Sequence, residues 1–506
     1  MSVKGVNDLS NLKIGWAEIS ITPDKKTALA GQFAERISEY VEKPITATAM
    51  AVSQGNEQMI MVSCDLVAVS VNLLDGVREK LKENSVGIDP QKVILSAIHT
   101  HTGPVYPRKR RISGDYVGAK GMLKRYLTDG RKYTEKQNIS DNAEIMLGAE
   151  TFDFLADRIT EIIFKAWGNR KEGSFSNAFG RAAVGMCRRA VYTDGSAAMW
   201  GETNQAVFKE VEGGSDTGIE LMYVFDENKK LTGIVANLAC PAQCVQHRLF
   251  ISPDFWGEVK LLLRERFGEE IYLLAQCSAA GDQCPVDLIR WVEPENDVND
   301  PNIERKYPLK RKADPSMFDI KGMKLVGRRI AREIISVYED GLDTPQCEVE
   351  FKHKVHIMKL PIRKATLAQG KAAEKAVNDY LRDKSGDVDY NDAAKLQVHL
   401  GILARLELQN IQNILDTEVH IIRLGTVAIA TNPFELFLDY GNRIKARSRA
   451  EQTFLIQLAC GAEGYLPTEK AENGGHYSAF ISSGLVGHEG GDMLVSGTLE
   501  EINKMF

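Results

Sequence analysis

Two histidines one residue apart follow an apolar run: Val93-Ile94-Leu95-Ser96-Ala97 leads through Ile98 into His99-Thr100-His101-Thr102-Gly103-Pro104. On an extended backbone, side chains at i and i+2 leave on the same side, so both imidazoles can reach one point at a strand end. Imidazole nitrogens so placed suit zinc, which takes them at about 2.0–2.1 Å. Two hydrogen-bonded turn histidines fit the same letters. Three other segments are built alike. Val427-Ala428-Ile429-Ala430-Thr431 runs into Asn432-Pro433-Phe434-Glu435, a carboxylate just past a proline. Phe454 to Leu458 precedes Gly464-Tyr465-Leu466-Pro467-Thr468, which is also compatible with an ordinary Gly–Pro turn and a packed tyrosine. Ile271 to Ala275 precedes Gly281-Asp282-Gln283-Cys284-Pro285, whose thiol is either a nucleophile or a buried side chain.

These residues need strands that end at one edge. Open α/β sheets supply such an edge, because their sites lie beyond the strand ends. Met59–Ser63 and Val93–Ala97 read as buried strands, with helical spacing over Leu73–Asn84 between them. Helices are expected over Phe152–Trp167, Lys321–Tyr338, Lys364–Arg382, Ala393–Asn413 and Glu435–Arg447. A hairpin turning at Asp194-Gly195 is expected, and a strand pair Glu220–Phe225 with Leu231–Leu238. Pro107–Asp141 reads as a polar, mobile insertion, and Glu293–Pro315 as a loop. The expected fold is mixed α/β (α+β), a large single catalytic domain over residues 1–506 with sheets flanked by helices.

Composition narrows the partners. The 506 residues are 43% hydrophobic and 26% charged with a net charge of −6, which leaves no general basic surface for nucleic acid. Arg108-Lys109-Arg110-Arg111 is a basic run, read first as a solvated loop and second as a binder of an anionic substrate group. No window nears the ~18 apolar residues of a membrane span, and the N-terminal stretch lacks the apolar segment of a signal peptide. The eight cysteines are scattered, as expected of reduced thiols in a cytoplasmic protein. The expected partner is a small-molecule substrate, without nucleic acid or membrane; the oligomeric state is not set by the sequence.

Taken in order, HTHTGP, GDQCP, NPFE and GYLPT resemble the neutral (non-lysosomal) ceramidase family over nearly the whole chain, as do Gly15–Pro23 and Ser63–Leu66. The resemblance implies a zinc hydrolase. It matches His99, Glu435 and Tyr465 to metal ligands and His101 to a histidine that steadies the transition state. It also matches Tyr477, twelve positions after Tyr465, to an active-site tyrosine, and Arg188 to an arginine that contacts the reacting group. Zinc in such a site lowers the pKa of bound water toward about 7 and polarises a carbonyl.

The chain departs from the family in several places. The family's second ligand histidine lies in an Ala-x-His-Pro-like stretch, but here the run is Ala239-Cys240-Pro241-Ala242-Gln243. His247 is the expected replacement, with Gln243, Cys244 and Asp254 as rivals. Cys284 stands where the family has a serine viewed as a nucleophile; packing is its first expected role, with nucleophilic attack and competition for the metal as the alternatives. Neither the signal peptide nor the C-terminal β-sandwich of lipid-acting relatives is expected here, so the expected substrate is small and polar rather than ceramide. Hydrolysis of an amide (N-acyl) bond is the leading expectation. Metal-assisted action on a carbohydrate by hydrolysis or elimination comes next, then a non-catalytic member of the family. A structural zinc on Cys240, Cys244, Cys277 and Cys284 is disfavoured by their uneven spacing.

Overall fold

Runs of aliphatic and β-branched residues form the strands, and those apolar on both faces lie inside sheets. The computed structural model describes residues 11–32, 35–84, 87–112, 118–134, 144–290 and 317–506; the loop expected over Glu293–Pro315 falls outside them. The strands of the first sheet are β1 (Lys13–Ser20), β2 (Thr46–Gln54), β3 (Glu57–Cys64), β4 (Val93–Ala97), β5 (Lys171–Arg181), β6 (Gly218–Asp226), β7 (Leu231–Leu238) and β8 (Tyr272–Cys277). Their order is β8-β7-β6-β5-β1-β2-β3-β4. The two strands expected before and after the first helix are β3 and β4. They pair in parallel with Ser63 opposite Ser96, and helix Val71–Glu83 makes the crossover a parallel pair requires. The expected pair around Asp226 is β6 and β7, antiparallel with Met222 opposite Val235.

A second sheet holds β9 (Phe351–Pro361), β10 (Ile414–Leu424), β11 (Val427–Thr431) and β12 (Gln452–Ile456), in that order. One apolar cluster joins the two sheets, with Val62, Leu95, Met222 and Leu274 from the first and Ile422, Ile429 and Phe454 from the second. Asn237 Nδ2 donates to Leu455 O at 2.8 Å and ties β7 to β12. Helices Phe255–Phe267 and Asp319–Glu339 cover β6 to β8. Leu438–Arg447 and His488–Met505 cover the far side of the second sheet. The mixed α/β expectation holds.

Several boundaries differ, each for a local reason. Lys364–Arg382 begins at Leu367, because Thr366 and Gln369 form a reciprocal capping box. Ala393–Asn413 is two helices, Tyr390–Lys395 and Gln397–Ile411, meeting at Leu396. Within Pro107–Asp141, residues Ala119–Tyr126 form a helix whose Met122 and Leu123 bury against Val377, Leu381 and Leu400. Eight residues with so few apolar positions give no readable period. Among the described residues, no helix is long and apolar enough to cross a membrane.

Candidate metal centre

Strands β11 and β12 pair in parallel, so their ends open on one edge. Just beyond them two short strands, Glu435–Leu436 and Tyr465–Leu466, also pair in parallel with Glu435 opposite Tyr465. The expected start of a helix at Glu435 is therefore wrong: the helix begins at Leu438, and Glu435 is held in a ladder by donating its N–H to Gly464 O at 3.0 Å. That register sets the carboxylate beside the phenol, and the Tyr465 hydroxyl hydrogen-bonds to Glu435. Gly281 packs so closely beneath that a Cβ there would lie 2.2 Å from Glu435 O.

The histidine pair converges by a route the spacing did not show. The chain is not extended at His99, where φ is +68°, a conformation that costs a non-glycine residue about 1–3 kcal/mol and clusters at functional sites. Its N–H donates to Leu66 O at 3.0 Å. His99 Nδ1 lies 2.7 Å from Val67 O. A carbonyl only accepts, so Nδ1 carries the proton and Nε2 is left as a bare acceptor. The two Nε2 atoms are 3.2 Å apart, and His101 packs over Gly31, where φ is +94° and a Cβ would lie 2.4 Å from the imidazole Cγ.

Gln243 sets the same Nδ1–H tautomer in His101. Arg188 Nη1 donates to Gln243 Oε1 at 3.1 Å, which turns the amide nitrogen toward His101 Nε2, 2.7 Å away. The Arg188 guanidinium is itself buried, and its Nη2 donates to Gly281 O at 2.8 Å and to the Tyr465 hydroxyl at 3.2 Å. Burial pushes both histidines below their usual pKa, and for His101 the neighbouring His99, Arg36 and Arg188 push further. Burial likewise raises the Tyr465 phenol, with Glu435 adding to it. The Tyr477 ring meets Tyr465 edge-on at 5.5 Å.

His99 Nε2 faces Glu435 Oε2 at 3.6 Å with no proton between two acceptors. Such a pair is repulsive until a cation lies between, and a nitrogen and oxygen donor set of this kind suits zinc. His99, His101, Glu435, Tyr465 and Tyr477 line one cavity of about 540 Å³, together with Arg108, Lys109 and Arg110. The structure thus brings together every expected site residue except two.

His247 does not reach the cavity. Its ring stacks on Phe318 at 5.3 Å, and its Nε2 lies 3.4 Å from Asp319 Oδ1, a carboxylate also held by Arg248. The turn after Gln243 leads into Phe250–Ile251, which pairs with Tyr40–Val41 and carries His247 away. Gln243, weighed as a rival, lies at the site instead. Asp254 caps helix Phe255–Phe267, accepting from Phe255 N at 2.7 Å, and Cys244 is buried in the core beneath that helix. Cys284 also stays outside. It pairs opposite Met186, packs with Trp200, Val286, Leu288 and Phe318, and donates to Val286 O at 3.4 Å. Burial pushes its thiol up to about 12, so it is no nucleophile where it stands.

Among the described residues, Glu418, His420 and Cys460 form a further buried group with metal-ligand chemistry. There Arg78 and Arg111 already bind the Glu418 carboxylate, at 2.8 and 3.2 Å. Two guanidiniums would repel a dication. The Cys460 thiol, pushed up to about 12 by burial, lies 3.5 Å from His420 Nε2, which donates its proton to the Glu418 carboxylate at 3.1 Å. We read this group as a structural polar network.

No family model matches the sequence, and no curated protein matches it. The fold nevertheless defines a class: it is a ceramidase-like α/β fold. Neutral ceramidase from Pseudomonas aeruginosa superposes with a TM-score of 0.65 at 15% identity, over 99% of this chain and 75% of that one. A ceramidase complexed with C2 gives a TM-score of 0.62 at 14% identity, over 98% and 75%.

Proposed function

We propose that this chain is a zinc-dependent hydrolase of ceramidase type that cleaves an amide (N-acyl) bond in a small soluble substrate in the cytoplasm. The carrying observation is the register that places Glu435 opposite Tyr465 with the bare His99 Nε2 3.6 Å from the carboxylate. In this reading His99, Glu435 and Tyr465 hold the metal and Gln243 stands in place of a second histidine. Zinc, when bound, supplies Lewis-acid activation of water and of the scissile carbonyl. His101, neutral and steered by Gln243, is placed to exchange a proton at Nε2. Arg188 keeps a fixed positive charge beside Tyr465, where it can stabilise a developing oxyanion, and Tyr477 closes the cavity next to Tyr465. Cys284 and His247 have no part in the reaction. All eight cysteines are free, which supports a reducing compartment.

A second reading, action on a carbohydrate, is supported by the polar lining contributed by Gln32, Gln397, Ser482 and Ser483. Chromogenic N-acyl and glycosidic substrates, each offered with and without a chelator, separate the two. Chelator-sensitive release from the N-acyl series is expected. Release from the glycosides alone, or release from the N-acyl series that the chelator leaves untouched, contradicts the proposal.

A further inference from the structure

The hydrolytic roles leave three cations of the cavity unused. Arg108, Lys109 and Arg110 are exposed on its wall, where Glu435 is the only carboxylate among the described lining residues. Their backbone is pinned on both sides. Asn72 Nδ2 donates to Pro107 O at 2.9 Å, and its Oδ1 accepts from Lys109 N at 2.8 Å. On the other side Arg111 N donates to Glu463 Oε1 at 3.4 Å, and the Arg111 guanidinium binds Glu418 at 3.2 Å. Arg110 faces the buried Glu463, whereas Arg108 and Lys109 make no salt bridge among the described residues. A solvated loop has no reason to be fastened so that its cations line a reaction cavity. An exposed guanidinium beside a lysine is the arrangement that receives a carboxylate or phosphate by charge-assisted hydrogen bonds.

We infer that the substrate carries an oxyanionic group, received by Arg108 and Lys109 while its scissile bond lies at His99 and Glu435. This rests on the hydrolase reading of the same cavity and names the class of molecule it takes.

Three probes share one acetanilide unit: 4-acetamidobenzoate, 4-acetamidophenyl phosphate and the neutral 4-acetamidobenzamide. Binding by titration calorimetry is expected to favour at least one anion over the amide by about tenfold or more. The Arg108→Ala/Lys109→Ala double variant should bring that ratio near unity, and added salt should shrink it in the wild type. The benzoate and phosphate arms show which oxyanion fits better. Equal binding of all three, absence of anion binding, or a preference that survives in the double variant overturns the inference. So does a double variant that loses only sedimentation with phosphatidylglycerol vesicles, which would make the strip a membrane contact. Acetate release is measured separately. Anion-selective binding without cleavage sinks the hydrolase reading alone, and cleavage without charge preference sinks the anion inference alone.

Discussion

Glu435→Gln is expected to lower kcat/KM by on the order of a thousandfold or more and to empty the site of zinc, since the metal's Lewis acidity is worth several kcal/mol. The substitution keeps the shape of the side chain and removes its charge. Glu435 Oε2 lies 3.6 Å from His99 Nε2, and the carboxylate also accepts from Tyr465. An amide in its place leaves one neutral nitrogen ligand facing a neutral oxygen and turns the Tyr465 contact into a weaker one. The backbone ladder with Tyr465 is untouched, so the melting temperature should stay close to wild type. Steady-state kinetics and a thermal melt on the same sample check this. A variant that keeps its zinc and most of its activity would remove Glu435 from the site.

The largest effect on stability is expected at Glu418→Ala. Glu418 and Arg78 are each only 5% exposed at the side chain, and Arg78 grips both carboxylate oxygens at 2.8 and 3.1 Å. Removing the carboxylate strands a buried guanidinium, a loss of about 3–5 kcal/mol. The sign of the pH dependence follows from the carboxyl itself. Burial would raise its pKa, but hydrogen bonds from His420 and Arg78 outweigh burial and hold it far below the usual range. A depressed acid contributes its stability in full above the unfolded value of about 4.3 and loses it progressively as pH falls below that. The gap in urea midpoint between wild type and Glu418→Ala should therefore be full at neutral pH and narrow below about pH 4. A gap that stays constant to low pH would place the loss in packing rather than in the ion pair.

Much of this site could be read from the chain, because its residues sit where strands stop. The apolar runs before His99, Glu435 and Tyr465 are β4, β11 and β12, the last two reaching the site through short extensions. What the letters did not carry was set by contacts remote in sequence. The two histidines meet because His99 turns to a φ of +68° against the 66–67 loop, not because they alternate on a strand. Glu435 lies in a ladder because Tyr465 is there to pair with it, so local helical spacing misplaced the start of the following helix. Local sequence places His247 at the site, but the direction of the chain after Gln243 is fixed by the pairing of Phe250–Ile251 with Tyr40–Val41, far upstream. Gln243 was visible only as one rival among three, and only Arg188 shows why an amide belongs there. The basic run has the letters of a solvated loop; its place on the cavity wall depends on anchors at Asn72 and Glu418 that no local pattern reveals.

The central claim is the metal, and elemental analysis of purified protein tests it most directly, on the wild type and on His99→Ala, His247→Ala and Cys284→Ala. The account predicts about one zinc per chain in the wild type, as befits a catalytic site with about three protein ligands. It predicts the same content in His247→Ala and Cys284→Ala, whose side chains lie against Asp319 and in the Trp200 cluster, and none in His99→Ala. Protein that holds no transition metal even after zinc supplementation, or that loses it as fully on His247→Ala as on His99→Ala, would contradict it.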